Sequence, residues 1–133
     1  MTETTYTLTA TVSLPYEQAL SSVREGLTEQ GFGILTEIDL ARTLQEKLGV
    51  EIPPQIILGA CRPALAHQAL TVAPSVATML PCNVVVRSLD AQTSLVEVFD
   101  PDAMVGLTGV DGLAPVAADA KQRLTAALAA LPQ

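Results

Sequence analysis

Asn83-Val84-Val85-Val86-Arg87-Ser88-Leu89, then Asp90-Ala91-Gln92, then Thr93-Ser94-Leu95-Val96-Glu97-Val98-Phe99, reads as two β-rich runs around a short polar turn. Valine and other β-formers dominate both arms, and turn residues separate them, so the spacing predicts a hairpin with strands over 83–89 and 93–99. Beyond it, Pro115 to Leu131 places Val116, Ala120, Leu124, Leu128 and Leu131 on one helical stripe. A hairpin with a segregated terminal helix points to an α+β domain, with helices packed on a sheet.

Working back toward the N-terminus, residues 5–13 alternate. Tyr6, Leu8, Ala10 and Val12 face one way and threonines the other, as in a half-buried strand. Pro15 then opens a helix, carried by Tyr16, Ala19, Leu20, Val23 and Leu27 and stopped near Gly31. Residues 32–38 form a second strand. Asp39 caps a short helix marked by Leu40, Leu44 and Leu48, which ends at Gly49. The apolar run 55–61 reads as a strand buried on both faces. Pro63 starts a helical stretch to about Leu80, and Pro74 must break or kink it. Residues 101–114, with Gly106, Gly109 and Gly112, read as a loop. The order is β-α-β-α-β-α-β-β-α, giving five strands in one domain over residues 1–133.

Composition sets limits on function. The chain has 133 residues, 49% of them hydrophobic and only 3% aromatic, so its core must be aliphatic. At this length about two-thirds of the surface is expected to be buried on folding. Seven Lys and Arg against fourteen Asp and Glu give a net charge of −7. The basic residues stand singly, so no patch can displace counterions from phosphates, which excludes nucleic acid and disfavours an anionic membrane surface. No apolar run reaches the roughly 20 residues of a spanning helix, and the first residues lack the basic start and apolar core of a signal peptide. The expectation is a cytoplasmic protein whose two cysteines are thiols rather than a disulfide.

Few side chains can do chemistry. Cys61 lies where a strand turns into a helix begun by Pro63. The helix dipole favours a thiolate there, and Arg62 adds positive charge. The alternative is a small residue packing a tight turn. His67, the one histidine, sits a turn further on as a base, a ligand or an idle surface group. Cys82 lies beyond the Pro74 break, which would allow Cys61 and Cys82 to approach. The spacing C-x5-H-x14-C matches no standard zinc pattern, so a metal would need Met79, Met104 or a carboxylate as well. Glu97, Asp100 and Asp102 form an acidic cluster, either a cation site or a solvated strand end. Phosphate-cradling glycine loops and a GxSxG elbow are absent from the sequence.

Several phrases taken together resemble one family. They are Phe32-Gly33-Ile34-Leu35-Thr36-Glu37-Ile38-Asp39, Thr43-Leu44-Gln45-Glu46-Lys47-Leu48-Gly49, and Ile57-Leu58-Gly59-Ala60-Cys61 followed by Pro63 and Leu65-Ala66-His67-Gln68-Ala69-Leu70. Leu80-Pro81-Cys82-Asn83-Val84-Val85-Val86 and Asp100-Pro101 with Met104 complete the set. The chain resembles the domain-of-unknown-function 302 family, of the TT1751-like superfamily. That resemblance implies a strongly curved sheet with helices on one side, similar to the TATA-binding-protein arrangement, and a homodimer. It assigns no reaction and no cofactor. Joined to the reading of the residues, it marks Cys61, Arg62, His67, Cys82, Asn83, Asp100 and Met104 as a candidate cluster.

Three functions fit these features. One is a small-molecule-binding module with residues 101–114 as a lid or rim. Another is a thiol-based redox or soft-metal site on Cys61, His67 and Cys82. The third is a structural or regulatory homodimer, in which those residues only pack.

Overall fold

In the computed structural model, which describes residues 5–133, five strands form one antiparallel sheet in the order β1-β5-β4-β3-β2. The strands are β1 (Thr7–Val12), β2 (Gly33–Asp39), β3 (Gln55–Cys61), β4 (Cys82–Asp90) and β5 (Thr93–Phe99). The helices are α1 (Tyr16–Glu29), α2 (Leu40–Leu48), α3 (Pro63–Val72), α4 (Pro101–Thr108) and α5 (Ala114–Ala129). The hairpin is β4–β5, with Val84 opposite Val98 and Val86 opposite Val96. The α+β architecture expected from it is the one observed.

β1 and β2 are consecutive in sequence yet occupy opposite edges of the sheet. The 14 residues of α1 make a rod of about 21 Å. Five strands at about 4.8 Å spacing make a sheet roughly 19 Å wide. One helix therefore carries the chain from edge to edge, and its apolar stripe is buried along the way. Ala19, Val23 and Leu27 of α1 join Val12, Leu58, Val84, Val86, Val96, Val98 and Leu124 in the larger core cluster. Complete burial of a side chain such as Leu58 or Leu124 contributes about 1.5–3 kcal/mol. A second, smaller cluster forms around α3, α4 and α5. It contains Leu65, Ala69, Val76, Met104, Leu113 and Val116.

Most local readings hold. Pro74 ends α3 and starts a 3-10 helix over Pro74–Met79. Asp39 caps α2, its Oδ1 accepting from the Arg42 N–H at 3.0 Å, and Gly49 closes that helix. Tyr6 precedes β1 and is exposed, so the buried alternation of that strand rests on Ala10 and Val12.

Two readings are corrected. β3 is fully buried on one face only: Ile56, Leu58 and Ala60 are buried, whereas on the alternate positions Gly59 is buried and Gln55, Ile57 and Cys61 are half-buried. The face away from the main core is only partly covered. Residues 101–114 are not a loop. They fold into α4 and a 3-10 turn over Asp111–Leu113 that leads into α5. Asp100 is the N-cap, its carboxylate accepting from the Asp102 N–H at 2.9 Å, and Pro101 occupies the first turn. A helix N-terminus tolerates proline because its first N–H groups have no partner within the helix. The segment is thus packed wall rather than a lid, with Pro101, Met104 and Leu113 buried.

Candidate functional site

The chain turns from β3 into α3 at Cys61-Arg62-Pro63. Arg62 is the N-cap in extended conformation, and Pro63 begins the helix. Cys61 therefore lies just before the helix N-terminus, as the position of Pro63 predicts. No side chain caps this helix, and no acidic residue sits in its first turn.

The Arg62 side chain runs across the turn between α1 and β2. Gly31 stands there with φ +83°, and a Cβ on it would lie 3.0 Å from Arg62 Nε. Glycine thus supplies both the left-handed backbone and the room for the guanidinium stem. Arg62 Nε is buried and has no hydrogen-bond partner. Among the described residues the Arg62 side chain makes no ion pair.

Beside Arg62 lies a cavity of about 50 Å³. It occupies the seam between the two core clusters. Phe32 and Ala60 belong to the larger cluster, Leu65, Ala69, Met104 and Val116 to the smaller, and all six line it. Ala66, Ala117 and Ala120 line it too, so short side chains leave the seam open. Arg62 is the one Lys, Arg, His, Asp or Glu among its lining residues.

Both cysteines reach this pocket. Cys82 starts β4 opposite Ala60, the neighbour of Cys61, and both cysteines are half-buried free thiols that line the cavity. Burial pushes the Cys82 thiol above its ordinary range, and the nearby Cys61 adds to that shift. A thiol held neutral is a weak nucleophile and a weak metal ligand at neutral pH. Met104 is buried in the pocket wall.

The remaining candidates lie elsewhere. His67 is on the exposed side of α3 and is not a lining residue, so it does not complete a site with the two cysteines. Among the described residues no three His, Cys, Asp or Glu side chains are grouped so as to hold a metal ion. Asn83 is exposed on β4, opposite Gly59. Asp100 caps α4 and accepts from Lys121 Nζ at 3.2 Å, while Asp102 accepts from the same ammonium at 2.8 Å. Glu97 pairs with Arg87 at 3.4 Å. The acidic cluster is thus divided between two cationic partners.

Reading the residues did not single out Phe32, Leu65, Ala69 or Val116 as pocket residues. Each sits in an apolar phrase indistinguishable from core, and their convergence is tertiary. Among the described residues no helix is long and apolar enough to cross a membrane.

The family model "Domain of unknown function DUF302" matches residues 8–131. No curated protein matches the chain. Among solved structures, the chain is similar to the uncharacterized conserved DUF302 protein from Bacillus stearothermophilus. The two are 31% identical, the match covers 95% of this chain and 98% of that one, and the TM-score is 0.86. The chain belongs to the DUF302 family.

Proposed function

We propose that the protein is a cytoplasmic small-molecule-binding module whose ligand seats an apolar group in the seam pocket. The observation that carries this reading is the unfilled seam itself. Protein interiors close to the density of organic crystals, and residual space costs stability at about 24 cal/mol per Å³. Here about 50 Å³ stays open where the two separately packed clusters meet. A ligand that fills it recovers the lost contacts.

Xenon under pressure tests this directly, because apolar cavities take it up. The expected result is a set of NMR shifts at Leu65, Met79 and Met104 methyls, lost in Ala69→Leu. No xenon-dependent shift at those methyls would refute the reading. A thiol-based redox or soft-metal role for Cys61 and Cys82 lacks its third group, since His67 lies off the pocket.

A homodimer forms the second part of the reading, supported by the β2 edge. β2 ends the sheet, and Leu35, Ile38, Leu48 and Val50 on this strand and the adjoining α2 segment are exposed. An uncovered edge bearing apolar side chains is a template for another strand. A second copy meets it across a twofold axis, β2 against β2. Sedimentation velocity over a range of concentrations is expected to give the mass of two chains; one chain at every concentration would remove this part.

A further inference from the structure

We infer that the seam pocket is a soft-metal site, in which Cys61, Cys82, Met79 and Met104 hold one cuprous ion through sulfur. This goes beyond the apolar ligand proposed above and does not depend on it.

Sulfur is scarce in the chain, and its placement carries the inference. The sequence has two cysteines and three methionines. Met1 lies outside the described residues, and the other four all line the one cavity. They come from separate stretches of chain. Cys61 ends β3, Cys82 begins β4 opposite Ala60, and Met79 lies three residues ahead of Cys82. Met104 comes from α4. The two thiols are near enough to interact electrostatically. Met104 is buried in the smaller core cluster, and Met79 packs against that same cluster. The pocket wall presents little nitrogen or oxygen, so magnesium or calcium would find no ligands there.

The donor set selects the metal. Thiolates and thioethers together suit Cu(I). Zinc instead takes cysteine, histidine and carboxylate ligands, and among the described residues no three of these are grouped. The methionines supply the further donors that His67, off the pocket, does not. Their unbranched side chains adapt easily, which lets sulfur turn toward an ion in the seam. On binding, each thiol releases its proton to solvent and forms one Cu–S bond. The thioethers donate lone pairs, no electron is transferred, and copper stays Cu(I). The N-terminus of α3, uncapped and without acidic residues in its first turn, favours the thiolate at Cys61.

The test adds Cu(I), as its acetonitrile complex, to the reduced intact protein without oxygen, in competition with a chromophoric Cu(I) chelator. One copper per chain is expected, with NMR shifts at both the Met79 and Met104 methyls. Met79→Leu and Met104→Leu keep the volume and remove the sulfur. Each is expected to weaken Cu(I) binding by roughly tenfold or more, the scale of losing a supporting group at a metal site. Copper-loaded protein is also expected to lose the xenon shifts, because ion and gas share one cavity. No copper retained, or equal retention by the double leucine variant, overturns the inference. Neither result touches the pocket reading, which stands or falls on xenon in the metal-free protein. Should a leucine variant fail to fold, the unaltered protein still decides: copper bound without shifts at the two methyls overturns the site.

Discussion

Tyr16 opens α1 with its phenol partly buried and facing negative charge. Burial, then Asp39 and Glu17, push its pKa from 10.0 to about 12. Below pH 10 the phenol is neutral whether the chain is folded or not. Between about 10 and 12 the unfolded chain releases this proton and the folded one keeps it, so stability falls as pH rises through that window. Tyrosinate absorbance is expected to show a phenol titrating near 12 that is lost in Tyr16→Phe; a Tyr16→Phe difference spectrum centred near pH 10 would contradict this. Gly59 shows a different constraint. A Cβ there would collide with the Thr36 side chain and lie 2.7 Å from the Pro81 ring. Gly59→Ala is expected to cost about 1–3 kcal/mol, the range for overpacking, read from denaturant midpoints. That role was not legible in the run Ile57-Leu58-Gly59-Ala60, because both contacts come from other strands or their connections. The placement of Cys61 was legible, because a proline two residues later marks a helix start whatever surrounds it.

At the scale of elements, α4 shows how one dipeptide supports two readings. Asp100-Pro101 suits the end of a strand, and here it also begins a helix. Gly106, Gly109 and Gly112 favour a loop when counted together. In the fold they do different work: Gly106 lies inside α4, and Gly109 ends it at φ +67°. What holds α4 in place despite its glycines is tertiary, namely burial of Met104 against α3 and α5 in the smaller core. The cap adds to this. Asp100→Ala is expected to lower stability by about 2 kcal/mol in thermal or urea unfolding. Asp100→Asn keeps an acceptor for the Asp102 N–H and loses the part-buried Asp100–Lys121 pair, worth about 1 kcal/mol. It is therefore expected to fall between the parent and the alanine variant. Equal losses in the two variants would shift the weight from the cap to the ion pair.

For the molecule as a whole, the α+β class was legible because a hairpin and amphipathic helices are local patterns. Strand order was not, since placing β1 and β2 on opposite edges depends on where α1 lies across the sheet. The seam pocket was hidden for the same reason: it exists only where two clusters from distant stretches meet. The edges also bear on assembly. Neither β1 (TLTATV) nor β2 (GILTEID) contains lysine or proline, although β2 carries Glu37, Asp39 and a register irregularity between Ile34 and Thr36. On β1 the outward positions are threonines, whereas β2 exposes Leu35 and Ile38, the latter 47% accessible. The proposed dimer uses the β2 edge for this reason. Ile38→Lys places a charge at that edge, and in a twofold pairing each copy brings one, so the penalty is counted twice. Because Ile38 is substantially exposed, the folded monomer is expected to keep its stability within about 0.5 kcal/mol, the usual range for surface changes. The expected outcome is a sedimentation coefficient that drops to that of one chain with an unchanged circular dichroism spectrum. A variant that still sediments as two chains would move the interface away from β2.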